Sequence, residues 1–436
     1  MTTRIAHISD THLGTRPGTG VRQNVWAVEM RTRLLENDFY ERFEELFERI
    51  GALEPKVDLV VHSGDLYNSP WEGNPTQPPV VAQETAIRVL KDFSERTEIP
   101  VFILEGNHGI YRTLEVSLLD TLKMAVPRLE IATQQELKRA ISKGEPLVRE
   151  YENLNVYCFP YLDKNVLDSA GLVDAFIDWI RTYQKPSSDK ASIAVAHGME
   201  LDESLYSPIF DMGYDYIALG HDHRQHAHSK NAWYAGSPER WRFDEIKHEK
   251  GFIVVDIEED STLDITPKHF DFVRPVYNET MTIDSDDTVA TMIEKVRAFL
   301  DEKGLKSEWN ISTAGRVRIV FEGSASRVKP MDLTIALENF RLEAFTTGSE
   351  YNLAQMVWTI RRDKEEFTEA AYPEIESEYL IEDPEQDFRE YVETLDIDEQ
   401  FDITKLTKVA VKALRKAVNR DEEKLAFVDL AEGGEE

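Results

Sequence analysis

Short motifs of aspartate, asparagine and histidine each come directly after an apolar run. In chain order they are Asp10-Thr11-His12, Gly64-Asp65, Gly106-Asn107-His108, His197-Gly198 and Gly220-His221-Asp222-His223. The apolar runs before them, rich in valine and isoleucine, are Ile5–Ile8, Val57–Val61, Val101–Leu104, Ile193–Ala196 and Tyr216–Leu219. Runs of this length and composition predict buried strands. Because side chains at the carboxyl ends of strands in an open α/β sheet converge on one crevice, we expect these polar groups to share a cleft.

The groups gathered in this cleft are hard and borderline metal ligands, which suit Mn²⁺, Fe²⁺ or Zn²⁺ better than an iron–sulfur cluster. Their number is sufficient for two ions. The predicted ligands are Asp10, His12 and His223 for one ion, Asn107, His197 and His221 for the other, and Asp65 as the bridge. Two ions about 4 Å apart are the usual device for hydrolysing phosphate esters, because they activate a water and neutralise phosphate charge. Each motif alone is common by chance, but their series at strand ends favours a site.

This series resembles the calcineurin-like metallophosphoesterase superfamily. Further segments are similar to its DNA-repair nuclease branch, the Mre-eleven or SbcD-type nuclease subunit that works with an SMC-like ATPase. They are Ser9-Asp10-Thr11-His12-Leu13-Gly14, Gly64-Asp65-Leu66-Tyr67, Ala235-Gly236-Ser237-Pro238 and Lys250-Gly251-Phe252. The resemblance covers roughly residues 1–260.

The resemblance implies a layered β-sandwich flanked by helices, with a small α+β capping domain and a C-terminal helical segment. It implies a metal-dependent DNA nuclease in a double-strand-break repair complex, acting as a 3′ to 5′ exonuclease and as an endonuclease on single strands and hairpins. The expected cofactors are two Mn²⁺ ions, with Fe²⁺ or Zn²⁺ as alternatives, and the expected assembly is a homodimer. Two alternatives stay open: a phosphodiesterase for nucleotides or other small esters, and a weakly active scaffold that bridges DNA ends.

His108 follows a predicted ligand and resembles the family's catalytic histidine that is not a ligand. Its implied role is to stabilise the phosphate or to protonate the leaving 3′ oxygen; alternatively it only bonds a metal-bound water. Asn68 stands where the family commonly has a histidine beside the scissile phosphate, so Asn68 is a candidate phosphate contact. An amide can donate a hydrogen bond there but cannot supply a proton as imidazolium can. Gly109 stands where the family usually has an aspartate that would orient His108.

The chain has 50 Lys and Arg residues against 82 Asp and Glu residues, a formal net charge of −32. This balance argues against a protein that coats DNA, because phosphate contacts need basic residues. It does not exclude a nuclease, because bound divalent ions reverse the local field. Basic residues flank the first and last motifs: Arg16, Arg22, Arg31, Arg33, Arg224, Arg240 and Arg242. They would form a basic track near the cleft, or they are ordinary solvated arginines.

The aromatic segment Trp233–Phe243 would either stack on nucleic acid or close the sheet behind the last metal loop. The single cysteine, Cys158, lies in an apolar run and is expected to be a buried thiol. There is no long apolar run and no apolar leader before the first strand, so we expect a cytoplasmic protein.

The pattern of elements predicts three parts. Residues 1–268 form the nuclease domain, with helices over Asp38–Ile50 and Val80–Ser94. Residues 269–363 form the capping domain, which the resemblance describes as presenting DNA. Residues 364–436 form an acidic linker and two helices that, by the resemblance, bind the partner ATPase. Alternatively, the apolar faces of these helices fold back on the capping domain or on each other.

Overall fold

The computed structural model describes residues 2–15, 26–68, 78–109, 117–162, 167, 171–198, 207–323, 325–346 and 348–361, with the backbone alone for 26–33. All of them lie in one compact unit, Met1–Arg362. Two groups of predicted features lie outside the described residues or side chains: the C-terminal segment 364–436 and the side chains of Arg16, Arg22, Arg31 and Arg33. Both therefore remain predictions.

The elements alternate along the chain in an α/β order. The strands up to residue 269 are β1 Thr3–Ile8, β2 Leu59–His62, β3 Val101–Leu104, β4 Leu129–Ala132, β5 Val148–Glu150, β6 Leu154–Phe159, β7 Ala191–His197, β8 Tyr216–Gly220, β9 His226–Ala227, β10 Ala232–Tyr234, β11 Gly251–Ile257 and β12 Leu263–His269. The helices among them are α1 Trp26–Gly51, α2 Val80–Thr97, α3 Asp120–Ala125, α4 Gln134–Lys143 and α5 Val173–Tyr183.

These strands form two sheets. The first has the order β12-β11-β1-β2-β3-β4, in which β1 to β4 run parallel while β11 is antiparallel to β1 and β12. The second has the order β5-β6-β7-β8-β10-β9, with β6, β7, β8 and β10 parallel. The strand-end motifs are therefore divided between two sheets, and the expectation that one open sheet carries them all was wrong.

The sheets pack face to face through a shared apolar core. Val61 and Phe102 of the first sheet lie in one fully buried cluster with Val156 and Ala218 of the second. The opposite face of the first sheet packs against α1 and α2, for example through Phe43 and Phe93. Apolar side chains alternate to both faces of the central strands, as expected where a sheet is covered on both sides. The predicted layered sandwich with flanking helices is confirmed.

A third sheet follows residue 270. It contains β13 Val276–Ile283, β14 Gly315–Gly323 and β15 Leu353–Arg361, all parallel, and we call it the capping sheet. The helices α6 Val289–Glu302 and α7 Pro330–Ala344 pack on it around a separate apolar core. No helix in the described part of the chain is both long and apolar enough to cross a bilayer.

Candidate metal centre

One cluster of donor atoms joins the two sheets. His12 Nε2, from the loop after β1, lies 3.0 Å from His223 Nε2, from the loop after β8. The same His12 nitrogen is 3.9 Å from Asp10 Oδ1 and 3.9 Å from Asp65 Oδ2. One donor atom from each of Asp10, His12 and His223 lies within 4.8 Å of the others. This is the set that the sequence assigns to the first ion.

A second cluster lies beside the first. His197 Nε2 is 2.9 Å from Asn107 Oδ1 and 3.2 Å from Asp65 Oδ2, and His221 Nδ1 is 3.2 Å from the Asn107 oxygen. The Asp65 carboxylate thus approaches both clusters, as a bridging ligand must. The structure brings together all seven residues that the sequence predicts as ligands.

The donor set fits divalent transition metals. Metal–nitrogen bonds of about 2.1 Å place neighbouring ligand atoms roughly 3 Å apart. The distances are 2.9 to 3.2 Å in the second cluster and 3.0 to 3.9 Å in the first. Burial, reinforced by neighbouring histidines, lowers the pKa of His12 well below its ordinary value and that of His221 to about 3. Both rings are therefore neutral near pH 7 and carry a free lone pair, the form in which imidazole binds metal.

Asp65 and His197 form an ion pair when no metal is bound. Burial opposes the charge on each, but their mutual attraction is stronger. It holds the pKa of the Asp65 carboxyl well below its usual range and raises the pKa of His197 to about 9. Because a ligand nitrogen must lose its proton before it binds a metal, metal uptake at this cluster would release a proton from His197.

Strained backbone is concentrated in the motifs. Asp10, His12, Asp65 and His221 have φ values of 51°, 44°, 56° and 100°, in the region that residues with a Cβ rarely adopt. Each such residue costs on the order of 1–3 kcal/mol and persists only where its surroundings enforce it. Here main-chain hydrogen bonds join the loops after β1 and β2, including Asp10 N to Gly64 O and His12 N to Asp65 O, both 3.0 Å.

Two motif glycines permit the close approach of the loops. A Cβ on Gly64 would lie 2.2 Å from His197 Nδ1, and a Cβ on Gly106 would lie 2.2 Å from Asp65 Oδ1. Both distances are far below van der Waals contact. Any side chain at either position would push a predicted ligand out of the centre.

His108 lies in a single 3₁₀ turn, Asn107–Gly109, and its backbone N–H donates to Asp65 Oδ1 at 2.8 Å. Its half-buried ring packs edge-on against His12, with ring centroids 5.0 Å apart. A ring nitrogen of His108 lies within 4.8 Å of donor atoms of His12 and Asp65. This position allows contact with a substrate phosphate, and it also allows direct coordination of an ion.

Asn68 and Gly109, the two residues that depart from the family pattern, have different surroundings. Gly109 faces the buried Glu105: a Cβ at 109 would lie 3.0 Å from Glu105 Cγ. The Glu105 carboxylate accepts from Gln134 N at 2.6 Å and from the Ser117 hydroxyl. The space beside Gly109 is thus taken by another acid. Asn68 is half-buried, and its N–H donates to Leu13 O at 2.9 Å.

Three residues of the centre could not be identified from the motifs. Glu245 Oε1 lies 2.8 Å from His223 Nδ1, and its other oxygen accepts from Lys250 Nζ at 2.7 Å. The Trp241 ring lies against the histidines, with its centroid 4.5 Å from that of His12. Lys250 belongs to a segment already noted for its resemblance, and Trp241 belongs to the aromatic segment Trp233–Phe243, but no sequence signal marked Glu245.

The basic residues after the last motif have different roles. Arg224 and Arg242 are exposed, and the Arg242 guanidinium lies over the Trp241 ring at 4.9 Å. Arg240 instead donates to the Arg274 carbonyl at 3.1 Å and joins the sandwich to the segment before the capping sheet. Only two of the three described arginines are therefore free to form a basic track.

Comparison with known proteins matches the chain to a family model and to archaeal relatives. The family model for calcineurin-like phosphoesterases matches residues 3–225. Archaeal proteins named DNA double-strand break repair protein Mre11 are similar to this chain. That of Methanococcus maripaludis is 26% identical over 63% of this chain and 70% of the relative. Those of Saccharolobus solfataricus and Methanocaldococcus jannaschii are 26% and 30% identical, over 60% and 57% of this chain and 64% and 61% of the relatives.

Proposed function

The chain belongs to the calcineurin-like phosphoesterase family, and from that premise we propose that it is a metal-dependent DNA nuclease of a double-strand-break repair complex. The observation that carries the proposal is the pair of donor clusters that share Asp65. The relatives' name supports DNA as the substrate and break repair as the process. The aligned regions span between 61% and 70% of the three relatives described above, so the activities of the whole relatives are part of the proposal.

The two clusters would hold two divalent ions, which we propose to be Mn²⁺, with Fe²⁺ or Zn²⁺ as alternatives. Bound there, the ions would supply an activated water and neutralise charge on the phosphate. His108, beside His12 and at the mouth of the clusters, would donate to the phosphate and pass a proton to the leaving 3′ oxygen. The Asp65 side chain would fix the His108 turn through the backbone bond to His108 N.

Exposed basic groups beside the clusters support a polynucleotide substrate. Arg224 and Arg242 are exposed next to the last motif, and Arg242 stacks on Trp241. Cationic side chains at this position would contact the phosphates that flank the scissile bond. We propose 3′ to 5′ exonuclease activity on duplex ends and endonuclease activity on single strands and hairpins.

The decisive experiment is digestion of end-labelled duplex and hairpin DNA with Mn²⁺, beside the generic substrate bis(p-nitrophenyl) phosphate. The proposal expects cleavage of both DNA substrates that EDTA abolishes. Hydrolysis of the small ester alone would favour the alternative phosphodiesterase. If neither substrate is cut while DNA ends are joined in a bridging assay, the scaffold alternative holds.

Asn68→His is expected to raise exonuclease activity about tenfold or more. A restored imidazole adds both a hydrogen bond and proton transfer near the phosphate, and such groups typically contribute at least this much. Initial rates on end-labelled duplex DNA measure the effect, with Asn68→Gln as the matched control that keeps the amide. An unchanged or lower rate in the histidine variant would mean that another residue already fills this role.

The C-terminal helices are proposed to bind the SMC-like ATPase. These helices are predicted from the sequence and lie outside the described residues. Their predicted apolar face contains Leu406, Val409, Leu414 and Val418, and such an apolar stripe typically fits a partner groove. Truncation after Arg362 should leave a folded, metal-binding protein, because the described cores all lie within Met1–Arg362, and it should abolish binding of the ATPase.

Leu414→Glu should weaken ATPase binding at least about a hundredfold, because an unpaired charge in an apolar interface is strongly unfavourable. Lys412→Gln, on the opposite face, is the control and should bind normally. Unchanged affinity of the truncated protein, measured by calorimetry, would show that this segment has another role.

We propose that the protein is a homodimer. This proposal rests on the resemblance to the DNA-repair nuclease branch. Sedimentation equilibrium measures the oligomeric state directly.

A further inference from the structure

In each donor cluster, one predicted ligand histidine makes a hydrogen bond through its Nδ1 nitrogen, and the kind of acceptor differs between the clusters. In the second cluster, His197 Nδ1 donates to the main-chain carbonyl of Ser63 at 2.9 Å, a neutral acceptor. In the first cluster, His223 Nδ1 donates to the Glu245 carboxylate at 2.8 Å. The Glu245 side chain is buried, with a relative exposure of 3%, and so is Lys250, with which it pairs. Among the described residues, a buried carboxylate therefore supports His223, whereas a neutral carbonyl supports His197.

Lys250 contacts the main chain of His223 directly and acts on its ring through Glu245. Its ammonium donates to the His223 main-chain carbonyl at 2.9 Å and to the Glu245 carboxylate at 2.7 Å, while Ser237 Oγ takes a third bond at 2.7 Å. The carboxylate in turn holds the His223 ring. A single buried ion pair thus fixes both the backbone and the imidazole of this predicted ligand.

The loop that carries the carboxylate is itself held in place. The N–H groups of Trp241 and Arg242 donate to the Glu245 oxygens, each at 3.1 Å. From the capping sheet, the buried Arg316 guanidinium donates to the carbonyls of Arg240 and Trp241 at 2.6 and 3.0 Å. Gln355 on the neighbouring strand accepts from the same guanidinium at 2.8 Å. Glu245 therefore has little freedom to move away from His223.

We propose that Glu245 and Lys250 are positioning residues for His223. This proposal rests on the metal centre of the proposed function. Glu245 and Lys250 make the ion site of Asp10, His12 and His223 depend on a buried ion pair that the other site lacks among the described residues. A carboxylate that accepts from Nδ1 fixes the tautomer with its lone pair on Nε2 and makes that nitrogen a stronger ligand. The neutral main-chain carbonyl that accepts from His197 orients that ring but adds no negative charge beside it.

The test is titration of the metal-free full-length protein with Mn²⁺ alone, followed by calorimetry. For Glu245→Gln we expect one of two sites to weaken by about ten- to a hundredfold, the usual effect of losing such a partner, while the other keeps its affinity. Glu249→Gln, an exposed neighbour in the same segment, is the matched control. Equal weakening of both sites, or of neither, would overturn the proposal.

The affected site is identified in an Asn107→Ala background, in which the second cluster has lost its amide ligand. The remaining tight site should then be lost on adding Glu245→Gln. If it persists, the ion pair does not support the first cluster, and the proposal is wrong.

A further variant separates positioning from stability. Glu245→Gln alone leaves the Lys250 charge buried without its partner, whereas Glu245→Gln with Lys250→Met removes both charges. We expect the double variant to recover much of the wild-type melting temperature but not the affinity of the first site. Recovery of both together would show a purely structural role. Since no DNA is present, failure to cut DNA would count against the proposed function and leave this result standing.

Discussion

Asp65→Ala is expected to reduce phosphodiester hydrolysis by a factor of about a thousand or more. The Asp65 carboxylate approaches both donor clusters, with Oδ2 3.2 Å from His197 Nε2 and 3.9 Å from His12 Nε2. Its loss removes a ligand from both ions and frees the turn that it holds through His108 N. Metal ions contribute several kcal/mol of transition-state stabilisation, and about 1.4 kcal/mol corresponds to a tenfold change in rate.

Steady-state rates on hairpin DNA and bound Mn²⁺ per chain measure this effect. Asp222→Ala is the matched control, because Asp222 belongs to the last motif but its carboxylate lies 3.7 Å from exposed Arg224. The control should keep both ions and its activity. Full activity in Asp65→Ala would rule out a two-ion mechanism.

His108→Ser should reduce hydrolysis by about a hundred- to ten-thousandfold, the usual contribution of general acid–base catalysis, while both ions stay bound. The main-chain bond from residue 108 to Asp65 survives the change, so the turn should keep its shape. Metal content and rate are measured on one preparation. His228→Ser is the control, since His228 is exposed and stacks on Phe210 outside the donor clusters.

The outcome distinguishes three roles for His108. If metal is lost in proportion to rate, His108 is a ligand of an ion, as its nearness to His12 and Asp65 permits. If metal is kept and the rate is unchanged, His108 only packs against His12. Loss of rate with full metal content identifies the catalyst.

The strands could be predicted because the physical signal lies within each segment. The run Val101–Leu104 forms β3 with the predicted bounds, and Ile5–Ile8 lies within β1. The helix predicted over Asp38–Ile50 is longer, Trp26–Gly51, because the residues before Asp38 favour helix without a clear apolar period. The ligands could be predicted once the strands were, because the carboxyl ends of parallel strands bring their loops together.

Other features depend on contacts between segments distant in the chain. The division of the motifs between two sheets is fixed by the pairing of β1 with β11 and of β7 with β8. The contact of Glu245 with His223 depends on a short 3₁₀ turn, Phe243–Lys247, that has no sequence period. Nothing in the local pattern of an isolated acid shows that it is buried against a histidine.

The position of β1 has a consequence for synthesis of the protein. One of the two neighbours of β1, strand β11, is made about 250 residues after β1, since Thr3 pairs with Ile257. At about 5–20 residues per second on the ribosome, one edge of β1 stays without its partner for tens of seconds, and open strand edges favour aggregation. Lys250 directly precedes β11. A ribosome stalled before this point therefore holds a chain that lacks both the closed sheet and the buried charge behind His223.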